Sequence, residues 1–411
     1  MNDTSGITRK EYDVIIVGGG IVGLSLACEL VDTDFSVALI EHSEFAGVTQ
    51  VTESRVSAIN RFALQRYGQS SVFDSPLAER MCVFEKMFVW DQTGAGQIEF
   101  DCAELGIPEL GVIVENTVLQ QLLLQRVTAA DNINVFCPEE ITNITCAVGE
   151  RSEADADELA QVTLAGGDVL AAKLLVGADG VRSQVRAAAS IQHSMQSYQQ
   201  QGLVCNIQTS ESHQNTAWQV FLPTGPLALL PLYDGQCSIV WSLDDTAAQK
   251  VVALDDAAFD IALAEASEFR LGEVQQSSQR FQFPLGHGHA EDYVKPGLAL
   301  IGDAAHNIHP LAGQGANLGI ADAAVLADVI KQARQAGRQW AALHTLKKYQ
   351  RQRRGANRLM EVSMTGFKTL FGNENAVIAE IRNAGLSLVD HLQPLKNRLI
   401  KQALGVQTDI K

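Results

Sequence analysis

Glu11–Glu41 reads EYDVIIVGGGIVGLSLACELVDTDFSVALIE, and the order of its parts decides the fold. Val14-Ile15-Ile16-Val17 is an unbroken apolar run, the pattern of a strand buried on both faces. Gly18, Gly20 and Gly23 follow at G-x-G-x-x-G spacing, then a helical stretch from about Ile21 to Val31, then a second strand, Ser36–Ile40, closed by Glu41. This strand, glycine turn, helix, strand and terminal acid form a dinucleotide-binding unit. Gly18 lets the chain turn out of the strand. Gly20 removes the Cβ that would hold a pyrophosphate off the backbone. Gly23 lets the helix pack close. The helix N-terminus offers free N–H groups and a partial positive charge to phosphates. Glu41 can accept ribose hydroxyls and would repel a 2′-phosphate. The unit therefore suits FAD or NAD and disfavours NADP.

Working outward, 411 residues suffice for a large core and two domains. No run of about 18 apolar residues predicts a transmembrane helix. The opening MNDTSGITRKEYD has no apolar signal-peptide core and reads as a loose tail over roughly its first ten residues. Seven scattered cysteines without a C-x-x-C suggest reduced thiols in a cytoplasmic protein, with neither a disulfide framework nor a zinc site. A net charge of −17 argues against nucleic acid as a partner. The charge is uneven. Lys331–Lys411 holds 15 Lys and Arg against 5 Asp and Glu, whereas residues 1–330 hold 16 against 43. This basic end reads either as a solvated helical face or as a surface for anionic lipid or an acidic partner.

Further along, Ser54–Tyr67 has helical spacing. Val83–Trp90 and Gln97–Phe100 flank Asp91-Gln-Thr-Gly94 as a hairpin. Asn116–Val127 reads as a helix capped by Asn116, Asn134–Cys137 as a buried strand, and Ile141–Leu170 as a meander broken by the acidic loop Glu150–Glu158. Lys173–Val176 is again a buried strand. Between about Tyr198 and Pro284 the pattern becomes that of a mixed or antiparallel sheet, with a helix at Ala257–Glu268, which predicts a domain inserted into the first. Leu298–Ile301 is a strand, Gly315–Ala333 a helix, and the chain is helical from about Gln339 onward.

Two more motifs sit at strand ends. Val176-Gly-Ala-Asp179-Gly180-Val-Arg182-Ser183-Gln-Val-Arg186 opens a helix. Ile301-Gly302-Asp303-Ala-Ala-His306-Asn-Ile-His309-Pro310-Leu-Ala-Gly313-Gln314-Gly315-Ala-Asn317-Leu-Gly319 runs from a strand into a long helix. Gly302 permits close backbone approach, and Asp303 offers a carboxylate to sugar or ribityl hydroxyls. The glycine-rich helix start offers N–H donors to an anion.

The three motifs in this order resemble the group A flavoprotein monooxygenases, with the p-hydroxybenzoate hydroxylase fold, over nearly the whole chain. Gly302–Ala323 (GDAAHNIHPLAGQGANLGIADA) and Ile381–Gly405 (IRNAGLSLVDHLQPLKNRLIKQALG) are similar to the ubiquinone-biosynthesis hydroxylases, with the bacterial 2-polyprenylphenol hydroxylase subgroup nearest. The resemblance implies an α/β fold: a Rossmann-like FAD-binding domain, an inserted mixed β-sheet substrate domain and a C-terminal helical region. It divides the chain into FAD-binding segments 1–75, 111–195 and 286–336, substrate-domain segments 76–110 and 196–285, and a helical region 337–411. It implies that Gly18, Gly20, Gly23 and Glu41 hold the ADP half of FAD. Arg55 would lie near the cofactor, or else be a surface helix arginine. Asp179 and Gly180 would contact FAD, and Asp179 also NAD(P)H. Gly302 and Asp303 would bind the ribityl–pyrophosphate region. Pro310, Gly313, Gln314 and Gly315 would lie against the flavin ring.

The implied reaction uses NAD(P)H as reductant and O₂ as co-substrate, and hydroxylates a polyprenylated phenol through a C4a-hydroperoxyflavin, with ring C5 of 2-polyprenylphenol the expected position. Other ring positions in the same pathway and a small soluble aromatic are the alternatives within this chemistry. A non-catalytic FAD-binding partner in a biosynthetic complex is the alternative of another class. A ubiquinone-biosynthesis complex and a membrane surface are the partners the resemblance suggests, with a cytoplasmic place that extends to the periphery of the inner membrane. No side chain declares itself the substrate base. Tyr233, His287 and His289 lie in or near the inserted sheet, but structural roles are commoner for all three. No metal ligand set is expected. Apolar runs such as Leu227–Leu232 fit either a path for a polyprenyl tail or plain core.

Overall fold

The computed structural model describes residues 8–94, 96–146, 159–307 and 315–371. The first strand starts earlier than its apolar run suggests. It spans Arg9–Val17, with Arg9 paired to Val169, so Arg9 and Lys10 belong to the strand and not to the loose tail expected over the first ten residues, the first seven of which lie outside the described residues. Its exposed first half and buried second half explain why only Val14–Val17 reads as core. Five strands run parallel in the order Leu298–Leu300, Val169–Gly177, Arg9–Val17, Val37–Ile40 and Ile133–Phe136. Val14, Ile15, Ile16, Val37, Leu39, Leu174 and Val176 have no exposed surface. Each such side chain contributes roughly 1.5–3 kcal/mol on burial. Helix Ile21–Leu30 packs against helices Asn116–Thr128 and Gly315–Gln335, which join the same core. The meander after Ile133–Phe136 returns through Ile141–Thr145 and Ala160–Leu164. The acidic loop at 150–158 lies outside the described residues.

The second sheet has nine strands and is antiparallel except where Thr216–Leu222 runs parallel to Lys86–Asp91. Lys86–Asp91 and Gln97–Asp101 form the expected hairpin, and Asp91 Oδ1 accepts from Thr93 N–H at 3.0 Å. The run predicted as one strand at Val83–Trp90 is two. Cys82–Phe84 leaves for a separate three-stranded sheet with Gly111–Glu115 and Val56–Asn60. That sheet also corrects the helix expected over Ser54–Tyr67. Val56–Asn60 alternates buried and half-buried residues against Gly111–Glu115, and the helix is only Arg61–Gln69, where Asn60 Oδ1 accepts from Ala63 N–H. The first half of the stretch can satisfy both periods, and the partner strand chose period two.

Asn116 does not cap its helix. Its Oδ1 accepts from the Ser57 hydroxyl at 2.7 Å, while Glu53 Oε2 reaches across to take the Thr117 N–H at 3.1 Å. Helix Asp256–Ala266 falls where one was expected, and it is preceded by Asp245–Val252, capped by Asp244 through Ala247 N–H. These helices cover one face of the nine-stranded sheet, where Leu227 and Leu229 pack with Phe259 and Leu263. The small sheet covers the other face, where Ala228, Leu230 and Leu232 pack with Phe84 and Ile113. The whole Leu227–Leu232 run is therefore core on both faces. The last described element is the helix Leu343–Phe371, and no described helix is long and apolar enough to cross a membrane.

Candidate active site

The parallel register brings the three motifs together. Val17 pairs with Gly177 and Gly177 with Leu300, so the three motifs leave the carboxyl ends of three adjacent strands at one level. Ile40, opposite Val17, adds Glu41 at the next strand end. In open parallel sheets, ligands bind beyond this edge.

The glycine turn is built by contact. Gly18 has φ +107, and a Cβ there would lie 2.4 Å from the Ala178 carbonyl oxygen, at the start of the second motif. A Cβ on Gly23 would lie 1.9 Å from the Gly18 oxygen. At Gly20 a Cβ would meet nothing within 4 Å. Protein packing therefore demands glycine at Gly18 and Gly23, whereas at Gly20 the space is open at the helix N-terminus, as close approach of a phosphate requires. Sequence reading passed over Gly19, whose added Cβ would meet the Phe45 ring at 2.8 Å. Gln120 Nε2 donates to the Gly19 carbonyl at 2.8 Å, another contact that spacing did not signal. Glu41 Oε2 accepts from Gly19 N–H at 2.6 Å and Oε1 from Ser43 N–H at 2.9 Å, which fixes the carboxylate beside the turn with lone pairs to spare.

Asp179 Oδ2 accepts from Gln184 and Val185 N–H at 2.7 and 3.1 Å, the first two N–H groups of the short helix that Ser183 caps through Arg186 N–H. Its Oδ1 is buried and has no partner among the described residues, a defect that a ligand hydroxyl would mend. Gly180 is in the left-handed region at φ +74. Arg186 joins the second motif to the third. Its buried guanidinium donates to Val181 O at 2.6 Å and Ala304 O at 2.9 Å, and burial lowers its pKa.

In the third motif, a Cβ on Gly302 would sit 3.1 Å from Val22 Cγ1, and one on Gly319 2.4 Å from Val22 Cγ2. The first helix thus seats Val22 against both glycines. Asp303 is exposed to solvent yet flanked by enough protein to raise its carboxyl pKa by desolvation, the environment of a concave wall. Asn317 takes Asn60 N–H at 3.0 Å and gives its amide to Ala58 O at 2.6 Å, which ties the long helix to the small sheet. Gly315 begins that helix, exposed. Pro310, Gly313, Gln314 and His309 lie outside the described residues.

Arg55 is not on a helix. It is exposed in the irregular segment before Val56, and no ion pair of its guanidinium occurs among the described residues. That segment is tied to the nine-stranded sheet: Asn206 Nδ2 donates to Thr52 O at 2.9 Å, and the Ser238 hydroxyl to Ser54 O at 3.0 Å. Tyr233 lies at the same junction with Arg80 over its ring, 5.1 Å from the centroid. Arg80 in turn pairs with Glu115 at 2.7 Å. His287 stacks on Tyr198, and His289 stands opposite Ser194. Neither histidine sits with further ligand types in a metal-binding group among the described residues.

Open space at Gly20, the orphaned Asp179 oxygen and the fixed Glu41 carboxylate together fit an elongated dinucleotide laid across four strand ends. The comparisons agree. Residues 11–362 match the family described as FAD binding domain. The chain belongs to the group A flavoprotein monooxygenases and, within them, to the ubiquinone-biosynthesis hydroxylase family. It is 37% identical over 402 residues to the 3-demethoxyubiquinol 3-hydroxylase of Escherichia coli, covering 97% of this chain and 100% of that one. It is 32% identical over 440 residues to the mitochondrial ubiquinone biosynthesis monooxygenase COQ6 of Danio rerio, covering 97% and 90%. The fold is shared with the crystal structure of PqsL, a probable FAD-dependent monooxygenase from Pseudomonas aeruginosa, at TM-score 0.74 and 21% identity, covering 92% of this chain and 99% of that one. The protein is an FAD-dependent monooxygenase.

Proposed function

We propose that this enzyme hydroxylates the aromatic ring of a polyprenylated phenol or quinol in ubiquinone biosynthesis, with NAD(P)H and O₂. The similarity to the Escherichia coli 3-demethoxyubiquinol 3-hydroxylase and to COQ6 carries the substrate class, and the register of Val17, Gly177 and Leu300, which brings three motifs to one sheet edge, supports the FAD site. Gly18, Gly20, Gly23 and Glu41 hold the ADP half of FAD. Asp179 and Gly180 contact its middle, and Gly302 and Asp303 its ribityl–pyrophosphate region. The family resemblance assigns Pro310 and Gly313–Gly315 to the flavin ring and Arg55 to the neighbourhood of the cofactor. FAD supplies the oxygen-transfer chemistry once reduced. The chain's part is to orient the ring, exclude water and place N–H donors beside developing negative charge.

The motif resemblance favours ring C5 of 2-polyprenylphenol. The identity with the Escherichia coli 3-demethoxyubiquinol 3-hydroxylase favours a second reading, a later hydroxylation of a demethoxyubiquinol. Deleting the gene in its host and identifying the accumulated intermediate separates them. 2-Polyprenylphenol supports the first and a methoxylated intermediate the second, while unchanged quinones overturn both.

The location of the enzyme follows from the same substrate class. Lys347, Arg351, Arg354 and Arg358 are exposed at spacings of four, three and four on helix Leu343–Phe371, hence on one face. This stripe supports docking on an anionic membrane surface where a polyprenylated substrate resides. Co-sedimentation with anionic but not neutral vesicles, lost at high salt, is the expected result. No sedimentation with either would remove the membrane from the reading.

A further inference from the structure

Beneath the third motif lies a polar cluster that the cofactor reading does not use. Asp322, on helix Gly315–Gln335, has no exposed surface. Its Oδ2 accepts from the Gly302 N–H at 3.1 Å and lies 2.5 Å from His306 Nε2. These two residues begin and end the turn that carries Asp303. Its Oδ1 accepts from Arg353 Nε at 2.6 Å and Asn357 Nδ2 at 3.3 Å. Arg353 Nη2 also donates to Asn357 Oδ1 at 2.8 Å, so the cluster closes on itself. Both Arg353 and Asn357 come from helix Leu343–Phe371, which is remote from the nucleotide unit in sequence. The same helix holds the strand end before the turn, because the buried Tyr349 hydroxyl donates to Leu300 O at 2.7 Å.

We propose that Asp322, Arg353 and Asn357 are positioning residues for FAD. They clamp the Gly302–His306 turn from below and thereby set the Asp303 carboxylate and the Gly302 backbone that face the cofactor. The inference rests on the FAD reading of the cleft. A carboxylate that accepts from both ends of a five-residue turn fixes the turn's shape. A single buried carboxylate would be costly alone, and the Arg353 charge makes it tolerable. Arginine is required because its planar fork serves Asp322 and Asn357 at once, which a lysine point charge cannot do.

The test uses the full chain, reconstituted with FAD after removal of bound flavin. The FAD dissociation constant and the thermal midpoint with and without FAD are measured for Asp322→Asn, Arg353→Lys and Arg353→Met. At least tenfold weaker FAD binding is expected for Asp322→Asn and Arg353→Met, with Arg353→Lys between these and the parent. The FAD-induced rise in midpoint should shrink in the same order, since ligand stabilisation follows affinity. A merely structural cluster would lower both midpoints equally and leave FAD affinity within twofold of the parent, and that result overturns the proposal. Should Asp322→Asn not fold, the two Arg353 variants and Asn357→Ala carry the same comparison. A parent chain that binds no FAD would instead overturn the reading of the cleft.

Discussion

Gly23 packs directly on Gly18: a Cβ at Gly23 would lie 1.9 Å from the Gly18 carbonyl oxygen. The helix start and the strand end are thus in backbone contact, while Gly20, between them in sequence, faces open space.

Two glycines of one motif should therefore fail differently. Gly23→Ala should lose soluble folded protein, because the obstacle is backbone and cannot yield. Gly20→Ala should fold with stability within about 1 kcal/mol of the parent, the usual scale at a helix N-cap, and bind FAD at least tenfold more weakly, about 1.4 kcal/mol. Thermal unfolding of the flavin-free protein and FAD titration separate the two. Unaltered FAD affinity in Gly20→Ala would show that the pyrophosphate does not approach there.

Glu41 touches Gly19 N–H and Ser43 N–H and keeps acceptor capacity. Glu41→Gln should fold and lose roughly tenfold in FAD affinity, again about 1.4 kcal/mol. Fluorescence titration of the flavin-free protein measures this, and parental affinity would take Glu41 out of the cofactor site.

Asp322 should shape acid stability. Burial raises its pKa, but His306 and Arg353 outweigh burial and hold it at about 2, below the ordinary carboxylate value of roughly 4. A depressed folded pKa gives stability that is complete above the unfolded value and is lost as pH falls through the folded one. The loss belongs between about pH 4 and pH 2. Asp322→Asn should cost about 3–5 kcal/mol at neutral pH by leaving Arg353 buried without its counter-charge. Denaturant unfolding against pH should show the parent and the variant converging in that window. Parallel curves would contradict the assignment.

Leu230 packs with Phe84 and Ile113 between two sheets. Leu230→Ala should cost about 2–5 kcal/mol by leaving a cavity, with no change in preference among substrates of different prenyl length. A shifted chain-length preference would place the tail path in this layer after all.

Much of the architecture is legible in single segments. Val14–Val17 and Lys173–Val176 read as buried strands because parallel strands bury both faces. The hairpin at Asp91–Gly94 reads correctly because its turn chemistry is local, and Asp91 Oδ1 does close it through Thr93. Ser54–Tyr67 misleads because its first half satisfies either period and only Gly111–Glu115 decides. Asn116 misleads because a competing carboxylate, Glu53, arrives from elsewhere in the chain. Asp322 gave one weak signal, an acid within an otherwise apolar helical run, and nothing local pointed to Arg353 as its partner.

The sequence alone determined the chemical class. The glycine spacing, the terminal acid and the two later motifs are local patterns, and each carries its own reason for meeting a dinucleotide. Tertiary structure decided what those patterns share. The pairing of Val17 with Gly177 and Gly177 with Leu300 puts three distant motifs at one level, and Arg186 and Asp322 then lock two of the turns in place. Such contacts join residues that no periodicity relates, because hydrogen bonding between strands and burial of charge depend on what the folded chain brings near, not on spacing along it.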